Sequence, residues 1–375
     1  MKNKLMSTDA IFTALVVVAI VFLFFLPTGF EKNIYPGSTR AKGLVLEVDD
    51  SMVQSAGIIK HGEQSVSLRI LNGKFKGREA VGVNRLSGKL EMDKIFKKGD
   101  KAFIVIDYSG DKINFVNVID HYRIDLEIML FAAFVLLLVV FAGWTGVKAV
   151  LSFVLTVLMV WKVLVPLFLK GYNPIILSLL VVLIMTAAVI FLAGGVNLRS
   201  YAAILGSLSG SVLTCILAVV FVRSFKIHGA VLPFSESLLY SGYMNLNLTE
   251  IFIAGIFIAS AGALMDLAMD ISASVYEIVR KKPEISAREA ILSGFSIGRA
   301  VTGTMTTTLL LAYSGGYIAL LMVFMAQGTP VANIINLKYV SAEILHTITG
   351  SFGLVTVAPF TAIMSGLLFT RPSFK

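Results

Sequence analysis

The chain has 375 residues, of which 57% are hydrophobic and 15% charged. Its formal net charge of +9 is divided among separate segments, so anionic lipid headgroups account for it and no nucleic-acid partner is predicted. A single cysteine, Cys215, excludes an intrachain disulfide and a cysteine-based metal cluster. No cofactor and no metal are predicted.

Eight apolar runs are each long enough to cross a bilayer, which takes about 20 helical residues. They cover residues 10–26, 126–142, 147–169, 175–194, 201–222, 249–269, 300–326 and 340–369. The first run is long for a signal peptide and no A-x-A-like cleavage site follows it, which favours a retained anchor over residues 1–27. The sequence therefore predicts an α-helical polytopic membrane protein.

Basic residues in short loops predict the orientation, because Lys and Arg accumulate on the cytoplasmic side. They are more frequent on the side of the N-terminus, so both termini are expected in the cytoplasm and residues 28–124 outside it. Residues 125–375 then form a seven-helix domain with an amphipathic cytoplasmic connection over residues 271–298. In that connection Ser286 and Glu289 fit the capping box S-x-x-E, which predicts a helix start just after Pro283.

The segment after the anchor has a different pattern. Five short runs alternate apolar and polar residues and are separated by Gly, Asp, Asn and Ser: AKGLVLEV, SVSLRIL, EAVGVN, AFIVID and NFVNVI. This pattern predicts a small all-β domain, and we expect an OB-like barrel. The domain either caps the membrane portion or binds an envelope component; His61 and His121 stand alone in it and indicate no catalytic site.

Asp266 and Asp270 are the most informative residues of the membrane portion. A spacing of four residues places both carboxylates on one helical face, and a charge in hydrocarbon costs at least about 2.5 kcal/mol. Two such carboxylates favour binding of a proton or a cation. In the alternative interpretation Asp270 meets water at the boundary, while Asp266 pairs with Arg299 or a backbone amide.

The last two spans carry further candidates for a polar path. Arg299, Thr304 and Thr307 are path candidates in the seventh span. The two threonines belong to a threonine-rich stretch after Arg299, and they either pack against a neighbouring helix or line a wet path. Glu343 and His346 have the E-x-x-H spacing of dinuclear metal sites, but those sites need two copies and the chain has one. A hydrogen-bonded pair or a pH-sensitive element is therefore the prediction for Glu343 and His346.

The segment QGTPVANIINLKY is polar for a membrane-embedded stretch. It contains Gln327, Asn333 and Asn336, and it is either a re-entrant turn that acts as a gate or an ordinary surface loop.

Three stretches carry a family resemblance: GALMDLAMDISASVYEI, GRAVTGTMTTTLLLAYSGG and EILHTITGSFGLVTVAPFTA. With the anchor and the β-domain before them, they resemble the YibE/F family of bacterial membrane proteins. The resemblance implies the fold and a location in the bacterial plasma membrane, and it supplies no substrate.

Two functions are compatible with these residues. The first is a transporter or permease for a small solute or cation, with a polar path around Asp266 in the last three spans. The second is an envelope scaffold or sensor that does not transport and whose β-domain binds a wall component or partner protein. A homo-oligomer or a complex with a family paralogue fits either. An enzyme is not expected, because no H-E-x-x-H, G-x-S-x-G or phosphate-binding loop appears.

Overall fold

The structure is a computed structural model that describes residues 2–31 and 37–371, with side chains from residue 8 onward. Three parts of the predicted domains lie outside the described residues: residue 1, residues 32–36 and residues 372–375. The chain divides into a barrel unit, Glu31–Leu138, and a helical unit made of Met1–Phe30 and Val139–Lys375.

The barrel unit contains a closed five-stranded barrel. Its strands are β1 (Ser38–Asp49), β2 (Val53–Ala56), β3 (Ile59–Ile70), β4 (Glu79–Ser87), β5 (Lys101–Ser109) and β6 (Lys112–His121). The order β1-β5-β6-β4-β3 returns to β1, and β2 is added at β3 as a short hairpin strand. All pairs are antiparallel except β4 with β6. The predicted OB-like barrel is confirmed, with β2 as one strand more than the five alternating runs indicated.

Apolar and polar residues alternate along the strands because every second side chain points into the barrel. The fully buried inward residues include Val66, Leu68, Ile104 and Ile106. At the seam between β4 and β6 the interior is narrow, since a Cβ on Gly82 would lie 2.7 Å from Val118 Cγ2.

Two buried amides attach the loop before β5 to the barrel wall. Gln64 donates to the Phe96 carbonyl at 3.2 Å and accepts from the Phe96 N–H at 3.0 Å. Asn84 donates to Gln64 at 3.1 Å and to the Lys94 carbonyl at 2.7 Å. The loop backbone therefore has polar partners inside an otherwise apolar wall.

The same loop is held at its start by Asp93. Its carboxylate accepts hydrogen bonds from Ser87 N at 2.8 Å, Ser87 Oγ at 2.9 Å and Gly88 N at 2.6 Å. These bonds, foremost that from the Ser87 backbone N–H, lower the pKa of Asp93 below its ordinary value of 3.8.

The helices follow the apolar runs of the sequence. They are α1 (Lys2–Phe25), α2 (Ile124–Leu158), α3 (Val165–Leu169), α4 (Pro174–Gly194), α5 (Leu198–Ser224), α6 (Ser235–Tyr240), α7 (Leu248–Lys281), α8 (Ala287–Ser314), α9 (Ile318–Ala326), α10 (Val331–Asn336) and α11 (Lys338–Phe369). A π-helical turn, Met159–Leu164, joins α2 to α3.

Seven segments of the described chain are long and apolar enough to cross a membrane. One of them, Ile124–Leu169, has 46 residues. A straight helix of that length would measure about 69 Å, against about 30 Å of hydrocarbon. Gly143 interrupts it with φ 56° and ψ −129°, a conformation open to glycine. This break divides the segment into the second and third predicted spans, and the polytopic helical fold is confirmed.

Four helices, α5, α7, α8 and α11, pack closely through glycine. A Cβ on Gly206 would lie 2.8 Å from Thr361 Cα, and one on Gly210 would lie 2.9 Å from Val357 Cγ2. Where α8 meets α11, a Cβ on Gly298 would lie 2.9 Å from the Ala358 methyl group. In lipid, small residues allow such close contact and the dispersion attraction that comes with it.

The predicted connection over residues 271–298 is mostly continuous helix. α7 runs to Lys281, and only residues 282–286 separate it from α8. The predicted capping box is present, because Ser286 Oγ accepts from Glu289 N and the Glu289 carboxylate accepts from Ser286 N, both at 3.2 Å. Residues 271–298 therefore comprise the end of α7, a short turn and the start of α8.

The N-terminal helix is tied to the rest of the helical unit by an ion pair. Lys148 Nζ donates to the two carboxylate oxygens of Asp9 at 2.6 and 2.7 Å. The Phe12 ring also meets the Phe191 ring edge-on, with 5.4 Å between centroids. α1 is thus an integral part of the helical unit in the described structure.

Candidate functional site

Asp266 and Asp270 lie on an exposed stripe of α7, which we call the acidic stripe: Gly255, Ala259, Gly262, Asp266 and Asp270. The opposite face of α7 is fully buried through Leu264, Leu267, Ala268 and Ile271. Within the described residues neither carboxylate forms a hydrogen bond or an ion pair. A Cβ on Gly255 or Gly262 would meet nothing within 4 Å, so the stripe is open along its length.

Arg299, Thr304 and Thr307 lie on the exposed side of α8, next to α7 in the bundle. Arg299 is exposed and forms no ion pair with either aspartate in the described structure. The Thr304 hydroxyl donates to the Val301 carbonyl at 3.0 Å, and the Thr307 hydroxyl donates to the Gly303 carbonyl at 3.2 Å. Both hydroxyls therefore satisfy their donors within the helix and keep their oxygen lone pairs available.

Glu343 and His346 belong to a second group, which we call the tyrosine cluster: Tyr313, Tyr317, Glu343 and His346. His346 Nδ1 lies 3.9 Å from Glu343 Oε2, and the two side chains are 20% and 17% exposed. The Tyr313 ring stacks on the His346 ring with 4.4 Å between centroids, and the Tyr317 side chain lies close to the Glu343 carboxylate. Two atoms of the cluster, His346 Nε2 and the Tyr313 hydroxyl oxygen, are buried without a hydrogen-bond partner in the described structure.

The two tyrosines were not singled out from the sequence. Tyr313 lies in the last turn of α8 and Tyr317 ends the 3-10 turn Gly315–Tyr317 that follows, and both lie close to residues of α11. The two positions are visible in the sequence, but the pairing of α8 with α11 is not, and tyrosines near helix ends are common at membrane interfaces.

A cleft of about 900 Å³ opens beside Tyr317. One wall is the segment that precedes α7, and the other is the start of α9 together with Tyr339. Its lining residues are Ala230, Val231, Leu232, Pro233, Phe234, Ser235, Glu236, Ser237, Gly316, Tyr317, Ala319, Leu320, Val323 and Tyr339. Glu236 is the charged residue among them, and we call this space the tyrosine cleft.

The predicted gate residues lie on the connection between α9 and α11. Gln327, Asn333 and Asn336 are all exposed. Asn336 also lines a second cleft of about 600 Å³, together with Lys226 and Lys338. The connection contains the short helix α10 and does not enter the bundle core, so gating by these residues stays a prediction.

Comparison with known families decides the classification. Residues 130–371 match the YibE/F-like protein family, and residues 34–121 match the YibE/F family N-terminal domain. The chain belongs to the YibE/F family. No curated protein and no solved structure matches it.

The two YibE/F matches follow the architecture of the chain. The N-terminal-domain match ends at the last residue of β6, and the main match contains every candidate site residue from Asp266 to His346. Among the residues described for this YibE/F protein, no group of three or more His, Cys, Asp and Glu side chains could hold a metal ion. The candidate residues provide carboxylates, one imidazole, one guanidinium, hydroxyls and aromatic rings.

Proposed function

We propose that the protein is a membrane transporter for a small solute or cation, with its polar path around Asp266. The observation that carries the proposal is the acidic stripe. It presents two carboxylates on one face, and no basic side chain of the described chain neutralises them. Carboxylates without an internal counter-charge favour a proton or a cation from outside.

The position of Asp266 along α7 supports the same proposal. Glu250 lies in the first turn of this helix, and Asp266 is 16 residues further on, or about 24 Å at 1.5 Å per residue. With Glu250 at one headgroup layer, Asp266 lies within about 30 Å of hydrocarbon and Asp270 reaches the opposite boundary. Such an arrangement places one carboxylate inside the membrane and the other where water can supply or receive its cation.

The acidic stripe faces away from the core of its own chain, so a second molecule completes the path in this proposal. A second copy or a family paralogue packed on the small residues Gly255, Ala259 and Gly262 would enclose Asp266. The orientation in the bacterial plasma membrane, with both termini cytoplasmic, is part of the same proposal and rests on the basic loops.

Flux measurements test the proposal. The purified protein is reconstituted in vesicles and screened for uptake of protons, monovalent and divalent cations and small solutes. Asp266→Asn keeps the size and removes the charge, and we expect it to lower flux at least tenfold. Glu284→Gln, in the loop between α7 and α8, removes an equal charge outside the path and should leave flux unchanged. Equal flux in Asp266→Asn and wild type would remove this carboxylate from the mechanism.

A second candidate function, an envelope scaffold or sensor, is favoured by one feature of the barrel. Val81 on β4 and Phe115 and Ile119 on β6 point outward at the same seam and are 61%, 46% and 37% exposed. Neighbouring exposed apolar side chains mark protein contact surfaces. If the protein is a scaffold or sensor, Phe115→Ser should abolish its function in cells and Asp266→Asn should have no effect. If it is a transporter, Asp266→Asn should abolish function and Phe115→Ser should have no effect.

A further inference from the structure

We propose that the tyrosine cleft binds a small organic monocation, an ammonium group carried on an apolar body. The inference rests on the proposed transport function and names the substrate class. It concerns a site separate from the acidic stripe, so binding at the cleft and flux past Asp266 can be measured independently.

The charge of the cleft selects a cation. Glu236 is exposed in the wall, and no Lys or Arg is among the lining residues. Behind the wall, the Glu343 carboxylate adds negative charge close to Tyr317. The basic residues nearby in the chain, Lys226 and Lys338, line the second cleft instead.

The walls select an ion with an apolar body. Leu232, Leu320 and Val323 provide aliphatic surface, and Tyr317 and Tyr339 add aromatic rings. A strongly hydrated inorganic ion gains nothing from such a surface, because it would lose water without replacement ligands. An organic ammonium group gains from both parts: its body covers the aliphatic wall, and its charge is attracted to the faces of aromatic rings.

The size of the cleft fits a small molecule. A volume of about 900 Å³ lies within the range of about 300–1,000 Å³ that is common for small-molecule sites. The polar lining residues are few, namely Ser235, Glu236, Ser237 and the two tyrosines, and the other lining residues are apolar or glycine. This distribution is typical of sites in which the apolar wall supplies affinity and a few polar groups orient the ligand.

Tyr317 links the cleft to the tyrosine cluster. Tyr317 lines the cleft and lies close to Glu343, whose carboxylate is 3.9 Å from His346 Nδ1. A cation in the cleft is therefore one side chain away from a partly buried carboxylate. We assign Tyr317 the role of presenting its ring to the ligand.

Isothermal titration of the full chain in detergent tests this assignment. The probe is benzyltrimethylammonium, with benzyl alcohol as the uncharged comparison, benzoate as the anion and potassium as the inorganic cation. We expect saturable binding of benzyltrimethylammonium and at least tenfold weaker binding of the other three. Equal binding of benzyl alcohol or benzoate would overturn the charge argument, equal binding of potassium would overturn the argument from the walls, and no saturable binding would overturn the site.

Variants locate the binding. Glu236→Gln lies on the surface and should fold normally; we expect it to weaken binding severalfold. Tyr317→Leu should weaken binding about 3- to 30-fold through loss of the ring, whereas Tyr317→Phe keeps the ring and should bind more tightly than Tyr317→Leu. Glu284→Gln is the control and should bind as wild type. Binding that is unchanged in both Glu236→Gln and Tyr317→Leu would place the ligand elsewhere and refute the proposal.

The same probe separates this inference from the transport proposal. Asp266→Asn should abolish flux of benzyltrimethylammonium into vesicles and leave its binding unchanged. Cation flux that depends on Asp266, without binding at the cleft, would refute the site and retain transport. Binding without any flux would support the site and refute transport.

Discussion

Replacing Gly353 by alanine adds one methyl group at a close contact between α11 and α5. The added Cβ would overlap the hydroxyl oxygen of Thr214. Thr214 is held in place, because its side chain is β-branched and its hydroxyl donates to the Gly210 carbonyl at 2.9 Å. Overpacking of this kind costs about 1–3 kcal/mol. The higher helix propensity of alanine offsets up to about 1 kcal/mol, so we expect a net loss of about 1–2 kcal/mol in unfolding free energy.

A second substitution should restore the stability. Thr214→Ala removes the overlapping oxygen and leaves the residue 214 Cβ as the nearest atom, 3.3 Å from the new methyl group. We therefore expect the Gly353→Ala, Thr214→Ala double variant to lie within about 0.5 kcal/mol of Thr214→Ala alone. The control is Gly303→Ala on the exposed side of α8, where a Cβ meets nothing within 4 Å and stability should stay equal or rise.

Equilibrium unfolding in mixed detergent and SDS micelles, followed by circular dichroism, measures these differences. Equal stability of Gly353→Ala and Gly303→Ala would refute the argument that α5 and α11 are in contact at Gly353. Additive effects in the double variant would show that Thr214 is not the residue that resists the methyl group.

Three further predictions concern the ends of elements and the barrel. Ser286→Ala should destabilise the start of α8 by about 1 kcal/mol and speed amide exchange over residues 287–290, whereas Ser286→Asp should preserve protection. Gln64→Leu should leave the Phe96 N–H and carbonyl unpaired, which destabilises the fold by about 1–3 kcal/mol for each group. The amide exchange rate should rise at Phe96 and rise less at Ile104. Folding lowers the pKa of Asp93. The contribution of Asp93 to folding stability is therefore complete above the ordinary pKa of 3.8 and is lost as the pH falls through the pKa of the folded state. Exchange at Ser87 and Gly88, corrected for intrinsic rates, should therefore rise in acid for wild type and not for Asp93→Asn; the same rise in both would contradict the assignment.

Local sequence signals predicted much of the fold. The alternation of β1, β3, β4, β5 and β6 was sufficient for the barrel, because inward and outward positions differ in polarity along each strand. The capping box at Ser286 was recognised because its partners are three residues apart. β2 was missed, since its four residues are mostly exposed and its pattern carries no buried face.

Contacts between residues far apart in the sequence could not be predicted from such local signals. The ion pair of Asp9 with Lys148 joins residues 139 positions apart, and the stack of Tyr313 on His346 depends on which helices pack together. The sequence indicated Asp266 only because a carboxylate is unusual within an apolar run. Whether its helical face points toward the core or away from it depends on the packing of α7, which no local pattern reveals.

The points at which the chain enters and leaves the barrel lie beside opposite ends of the same strand, β5. Ser38, where the chain enters β1, pairs with Asp107 of β5, while His121, where the chain leaves β6, pairs with Ala102 of the same strand. These two points are about 17 Å apart along β5, at about 3.3 Å per residue. A pull between the two ends would therefore load the ladders on both sides of β5 in shear, so that many hydrogen bonds share the force at once. We therefore expect the barrel to resist tension along that line.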